Sequence, residues 1–304
     1  MKIVSFVRHP QESPATGALV AQGAEVLDFT SPAAALPPAA EPLSWFDLDG
    51  EALRRAAELV QRLAVEPDLA RRLRAADALL ARGSVRLLAP VPRPGKVICI
   101  GLNYRDHAAE SGMAIPERPL VFSKFASCVI GPDEEVVLPP ESEQVDYEAE
   151  LGFVIGRRAW RVSAADAQRH VLGYANVNDV SARDFQFADG QWQRGKACDT
   201  FCPFGPFIAT PDEIGDPHRL RIALRLNGRT MQDSRTDQLI FGVPALVEHL
   251  SRFVTLEPGD LVSTGTPPGV GFARKPPVFL QPGDRMEVEV EGLGLLVNPV
   301  VRRG

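Results

Sequence analysis

Apolar and polar positions alternate most regularly from Val145 onward. The run V-D-Y-E-A-E-L-G-F-V-I-G alternates and then turns apolar, the pattern of a strand entering a core. Gly173 to Val180 is a second strand-like run. Upstream, Met1–Val7, Gly17–Ala21 and Ala24–Phe29 predict three strands of a small meander. Ala, Leu and Arg recur at helical spacing over Glu51–Leu63 and Pro67–Arg82, which predicts two amphipathic helices. Ser31–Pro42 is rich in Ala and Pro and predicts a loop. Val97–Ile100 reads as a short buried strand, Asp106–Glu110 as a short helix closed at Gly112, and Pro119–Pro132 as a mostly apolar strand. Ser163–Val171 predicts a helix capped by Ser163. Alternation returns at Leu220 and breaks at Asn227-Gly228, a type I′ hairpin signal. Val243–Val254 predicts an amphipathic helix, and Met286–Val290 a final strand. The proline-rich joint Ala89–Lys96 divides the chain into residues 1–90 and 91–304. No internal repeat is visible.

Several of these elements carry groups with chemical potential. Glu148 and Glu150 are two apart on a strand, so both carboxylates face the same way. Like charges at a core edge are costly unless a cation lies between them, and hard divalent cations prefer oxygen ligands. Asp179, in the second strand-like run, is the third candidate ligand. By spacing alone the two glutamates fit either a metal site or the exposed face of an edge strand. His107 and Glu110 are three apart and share a helix face. A carboxylate beside an imidazole makes it a general base, and a solvated turn is the alternative. Lys124 lies between Phe122 and Phe125, either snorkelling at a strand end or aimed at an anion. T-G-T-P-P-G-V-G, at 264–271, offers hydroxyls and backbone N–H groups to a carboxylate. It lacks the Lys-Ser/Thr of a P-loop, and no G-x-S-x-G supplies a serine nucleophile.

Composition narrows the classes. Over 304 residues, 45% are hydrophobic, 24% are charged and the net charge is -6, an ordinary globular balance. The acidic charge argues against nucleic acid as a general partner. No apolar run approaches the roughly 20 residues that span a membrane, so no membrane partner is expected. The first ten residues have Arg8 and no continuous apolar stretch, so no signal peptide is expected and the cytoplasm is the expected compartment. Cys99, Cys128, Cys198 and Cys202 form no C-x-x-C pair and read as reduced thiols, with Cys99 in the core.

Six stretches occur together in an order that resembles one family. They are G-L-N-Y-R-D-H-A-A-E, F-S-K-F, D-Y-E-A-E-L-G-F-V-I-G, N-D-V-S-A-R-D, R-G-K-A-C-D-T-F-C-P-F-G-P and T-G-T-P-P-G-V-G. Over about residues 95 to 300 the chain resembles the fumarylacetoacetate hydrolase family. The resemblance implies an α+β protein: a mixed β-roll or barrel catalytic domain with a smaller N-terminal α/β domain, in a homodimer. It implies magnesium or manganese held by Glu148, Glu150 and Asp179. It implies a mobile lid carrying the His107–Glu110 dyad, with Lys196 also catalytic. Lys124, Gln186 and Thr266 would bind a small-molecule 2-oxo acid. The reaction this implies first is C–C hydrolysis of an acylpyruvate or fumarylacetoacetate-like substrate through an enolate, with the dyad activating water. The same machinery without an attacking water fits oxaloacetate decarboxylation or keto–enol tautomerisation. P-L-V-F-S-K-F-A-S and R-K-P-P-V-F-L resemble a branch of the family that favours this alternative. A 2-hydroxyhepta-2,4-diene-1,7-dioate-type isomerase and a non-catalytic metal-dependent binding protein are further readings. Specificity is expected in the lid after Glu110, in Phe185–Gln193 and in Phe272–Lys275.

Overall fold

The run of apolar residues after Glu150 is the middle of a sheet. The computed structural model describes residues 1–9, 11–37, 42–110, 112–188 and 190–303. In it the strand Ala149–Ile155 is buried along its whole length. It lies between Val171–Asn178 and Leu261–Ser263, antiparallel to both. A strand with neighbours on both edges and packing on both faces is nearly all apolar, which is why L-G-F-V-I does not alternate. Val97–Gly101 runs parallel to Leu261–Ser263, and Leu120–Lys124 closes that side of the sheet. On the other side come Cys202–Ala209 and then Lys2–Val7, joined through Lys2↔Ala209 and Ile3↔Ile208. The strands Ala15–Val20, Glu25–Asp28 and Leu79–Ala81 continue the same sheet.

A second, five-stranded sheet runs Arg229–Arg235, Arg221–Leu226, Arg285–Val290, Leu295–Arg302, Val136–Leu138. Leu151, Phe153 and Tyr174 of the first sheet share a core with Ile222, Leu224, Val288 and Leu296 of the second. The architecture is α+β with mixed strand directions. Residues near the N-terminus have a core of their own, in which Leu59, Leu69 and Leu73 from two helices meet Leu27, Phe29 and Trp45. No helix among the described residues is long and apolar enough to cross a membrane.

The predicted helix Glu51–Leu63 and the hairpin at Asn227-Gly228 are present, the latter with φ of 52° and 77° at its two turn residues. Three expectations are corrected. The helix predicted over Pro67–Arg82 ends at Ala75. Asp77 turns the chain at φ 50°, and Leu79–Ala81 leaves as a strand paired to Glu25–Asp28. Ser163–Val171 holds only a 3-10 turn, Ala167–His170. Ser163 Oγ bonds the Asp166 carboxylate at 2.9 Å and caps no backbone N–H. Met286–Val290 is not the last strand, because Gly292 and Gly294 (φ 82° and 70°) return the chain into Leu295–Arg302. In the predicted loop Ser31–Pro42 a 3-10 turn occupies Pro32–Ala34, and residues 38–41 lie outside the described ones.

Candidate active site

Strand pairing brings the acidic residues together. Ala149 is opposite Asn178, so Glu148 and Asp179 follow each other across the end of the ladder. The Asp179 N–H donates to the Glu148 carbonyl at 2.9 Å. The run predicted as one strand is interrupted at Tyr147 and Glu148. Glu148 just precedes the strand Ala149–Ile155, its N–H held by Asn178 Oδ1 at 3.0 Å, and Glu150 is that strand's second residue. One carboxylate oxygen from each of Glu148, Glu150 and Asp179 lies within 4.8 Å of the others, and all three residues are buried.

Three cations and a fourth carboxylate surround this triad. Lys196 Nζ donates to Glu148 Oε2 and to Asp179 Oδ2, each at 2.7 Å. Arg183 Nη2 reaches Glu148 Oε1 at 2.6 Å and Asp146 Oδ2 at 2.8 Å. Lys124 Nζ stands 2.7 Å from Asp179 Oδ1. The Lys124 protons go instead to the carbonyls of Val180, Lys196 and Phe201. Asp179 Oδ1 thus has a cation beside it and no hydrogen-bond donor. Among the described residues no cation pairs directly with Glu150; Ser263 Oγ and the Gly265 N–H donate to its Oε2 at 2.5 and 2.8 Å.

These partners split the pKa values of the two glutamates. Burial pushes Glu150 well above the usual carboxylate range, and the charges of Asp179 and Glu148 push it further. Burial acts the same way on Glu148, but Lys196 and Arg183 outweigh it and hold Glu148 down at about 2. A buried carboxylate opposed by two like-charged neighbours within reach of the same point suits a hard divalent cation. The donor set fits the metal that the resemblance implies.

The dyad occupies a different wall. The helix Arg105–Glu110 places His107 Nδ1 3.2 Å from Glu110 Oε2. Both Glu110 oxygens accept from the Gly269 N–H at 3.2 Å, which ties the helix to the T-G-T-P-P-G-V-G loop. Asn103 braces the same loop, donating to the carbonyls of Thr264 and Phe241 at 2.7 and 3.0 Å. His107, Glu110, Glu148, Glu150, Asp179, Arg183, Gln186, Lys196 and Thr266 line one cleft of about 450 Å³. That volume suits a small organic ligand.

The structure therefore brings eight of the nine predicted site residues to the cleft, and Lys124 is the exception. Its ammonium is shut away beneath Asp179 and spent on protein carbonyls, so it braces the triad from behind. Gln186 accepts from Arg183 Nη1 at 3.0 Å. Thr266 Oγ1 donates to the Ala149 carbonyl at 3.0 Å and accepts from Gln232 Nε2 at 2.8 Å. Two site residues were not singled out from the sequence. Arg183 lies in the cleft wall, and Asp146 holds Arg183 together with the N–H groups of Gly271 and Phe272. Their signal was present in D-Y-E-A-E, which carries one acid beyond the two glutamates, and in S-A-R-D, which adds an arginine just after Asp179. All four cysteines are free, and burial raises each thiol.

Comparison with known proteins gives a consistent set of relatives. The family profile described as "Fumarylacetoacetate (FAA) hydrolase C-terminal" matches residues 96–301. Oxaloacetate tautomerase Fahd2a, mitochondrial, of Rattus norvegicus is 43% identical over 303 residues, covering 99% of this chain and 92% of its own. A mitochondrial oxaloacetate tautomerase of Bos taurus is 51% identical over 225 residues, 73% of this chain and 72% of its own. The protein of Pongo abelii named fumarylacetoacetate hydrolase domain-containing protein 2 is 50% identical over 236 residues, 77% of this chain and 75% of its own. The crystal structure titled 5-carboxymethyl-2-hydroxymuconate delta-isomerase, from Mycobacterium smegmatis, is 35% identical with a TM-score of 0.76, both chains covered in full. A fumarylacetoacetate hydrolase from Exiguobacterium antarcticum is 36% identical with a TM-score of 0.80, again over both full chains.

Proposed function

The chain belongs to the fumarylacetoacetate hydrolase family, and from that premise we propose that it is a divalent-metal-dependent enzyme interconverting the keto and enol forms of oxaloacetate. The observation that carries this reading is one cleft with a carboxylate triad and Lys196 at its floor and the His107–Glu110 dyad on its wall. The choice of tautomerisation over hydrolysis rests on relatives at 43% and 51% identity that are named oxaloacetate tautomerases. Hydrolysis, the reading the motifs implied first, is thereby placed second.

Glu148, Glu150 and Asp179 would hold magnesium or manganese, which when bound supplies Lewis-acid polarisation of the 2-oxo group and a template for its carboxylate. The chain's own residues do the rest. Nδ1 of His107 donates to Glu110, which leaves Nε2 as the basic nitrogen to take a proton from C3. Glu110 is fixed in turn by the Gly269 N–H, so the imidazole is oriented from the loop opposite. Lys196 spends two of its three protons on Glu148 and Asp179 and offers the third to the oxygen that gains negative charge. Thr266, whose hydroxyl bonds Ala149 and Gln232, and Gln186, whose oxygen accepts from Arg183, shape the position of the substrate oxygens.

The second reading, cleavage of an acylpyruvate by water activated at His107, is favoured by the 36% identical hydrolase and by the intact dyad. The two are separated by following enol absorbance of oxaloacetate and product release from a small acylpyruvate, each with magnesium, manganese or EDTA. Metal-dependent loss of the oxaloacetate enol without acylpyruvate cleavage supports the tautomerase. Acylpyruvate cleavage alone overturns it. The homodimer and the cytoplasmic compartment expected from the sequence stay as proposals, although the tautomerase relatives carry mitochondrial names. Sedimentation and cell fractionation test them.

A further inference from the structure

The charged groups lining the cleft all belong to its floor or to the dyad: Glu148, Glu150, Asp179, Arg183, Lys196, His107 and Glu110. The remaining wall is largely apolar. Phe187, on the helix Arg183–Ala188, faces Phe272 of the loop that follows T-G-T-P-P-G-V-G, with ring centroids 5.4 Å apart and planes tilted by 45°. Neither ring is buried by the protein, at 55% and 47% exposed, although both line the cleft. Trp192 continues this wall and packs edge-on against Phe122 at 5.4 Å. The cations lining the cleft among the described residues are Arg183 and Lys196. Arg183 is committed to Asp146, Glu148 and Gln186. Lys196 bonds Glu148 and Asp179 and lies 5.0 Å from the Phe122 ring centroid. Neither makes a cation–π contact with Phe187 or Phe272. A dicarboxylic acid finds its countercharges only at the floor. It leaves two half-exposed aromatic rings unused, whereas apolar surface at a cleft is stabilised by apolar surface of a ligand.

We propose that the cleft also accepts 2-oxo acids whose third carbon carries an apolar group, with an arylpyruvate as the type, and interconverts their keto and enol forms. The inference rests on the enolising role proposed above and adds the class of substituent. The C3–H bond breaks and its proton passes to His107 Nε2. The electron pair becomes the C2–C3 double bond, and the 2-oxo oxygen takes a proton from water as His107 returns its own to solvent, so the step is an isomerisation in which nothing is oxidised or reduced. Phe187 and Phe272 hold the aryl ring, while the 2-oxo acid end occupies the floor as oxaloacetate would.

The test uses the full chain loaded with magnesium. Keto–enol interconversion of phenylpyruvate and of oxaloacetate is followed by enol absorbance, and phenylpyruvate binding by quenching of tryptophan fluorescence. The expected result is turnover of both, with quenching that disappears in Trp192→Phe. Phe187→Ala and Phe272→Ala should each raise KM for phenylpyruvate about tenfold, while kcat/KM for oxaloacetate stays within about twofold. Oxaloacetate turnover also reports that each variant is folded. If oxaloacetate reacts while phenylpyruvate neither binds nor reacts, the inference is overturned and the proposed function stands. If both substrates weaken equally in the two variants, the rings act as a general cover and the inference is likewise overturned. If phenylpyruvate binds and quenches but neither substrate enolises, the enolising function falls and the inference built on it falls too.

Discussion

Lys124 Nζ lies 2.7 Å from Asp179 Oδ1, and neither side chain is reached by solvent. The ammonium also supplies donors to the carbonyls of Val180, Lys196 and Phe201. Asp179 holds the charge of Lys124 well above the ordinary lysine range against the cost of burial. Removing one partner of such a pair leaves the other buried and uncompensated. Lys124→Met is therefore expected to cost about 3–5 kcal/mol of stability in chemical denaturation without metal. A variant of unchanged stability and raised KM would instead make Lys124 a substrate-binding residue.

Glu150 and Glu148 make opposite contributions to stability as pH changes. The folded-state pKa of Glu150 is raised, so its favourable contribution is complete below the ordinary glutamate range and is lost as pH rises through the raised value. Glu148 is held at about 2, so its contribution is present above the ordinary range and lost as pH falls towards 2. Each unit by which the Glu150 pKa is raised costs about 1.4 kcal/mol once the group is ionised. Glu150→Gln keeps an acceptor for Ser263 and Gly265 without the charge. Its Tm in EDTA should exceed that of the parent at neutral and alkaline pH, with the gap closing in acid. The Tm rise on adding magnesium or manganese should disappear in the same variant. A variant destabilised in EDTA at pH 8 would show that Glu150 is stabilised as an anion and that its charge is not in excess.

The triad and the dyad were legible from the ordered motifs shared with the family, because their local spacings alone fitted other readings as well. Glu148 and Glu150 sit at strand spacing, and His107 and Glu110 at helical spacing. Charge balance was not local. Asp146 and Arg183 are 37 residues apart and meet only because Val145–Asp146 pairs with Ser181–Ala182. Lys124 was read as snorkelling or aimed at an anion in a pocket, and the anion it meets is a protein carboxylate behind the cleft. The strand Cys202–Ala209 was hidden by two prolines and a glycine, residues that ordinarily mark sheet edges and bulges. Its pairing with Val171–Asn178 does carry a register shift.

The same strand decides what removal of the first ninety residues will do. Cys202–Ala209 lies between Val171–Asn178 and Lys2–Val7. Ile3, Phe46 and Leu53 share a core with Phe204, Ile208 and Leu261. A fragment of residues 91–304 would expose that core and an open strand edge, which promotes aggregation. The expected outcome is insoluble or unfolded fragment, measured by expression yield and circular dichroism. A soluble fragment with a metal-dependent rise in Tm would instead show that residues 1–90 are an accessory unit.

The dyad is tested by separating geometry from proton transfer. His107→Ala removes the proposed base and leaves the triad, Lys196 and Arg183 untouched, so turnover of oxaloacetate should fall by about 10²–10⁴. The metal-induced rise in Tm should remain, because no triad partner involves His107. Glu110 acts through two contacts, His107 Nδ1 and the Gly269 N–H. Glu110→Gln retains an oxygen for one of these and loses the charge, whereas Glu110→Ala loses both. If the carboxylate serves proton transfer, kcat should fall already in Glu110→Gln. If it only anchors the helix to the loop, Glu110→Gln should match the parent and only Glu110→Ala should fail, with KM rising alongside. Joint loss of turnover and metal-induced stabilisation in His107→Ala would make the dyad a structural support of the floor and remove the base from the mechanism.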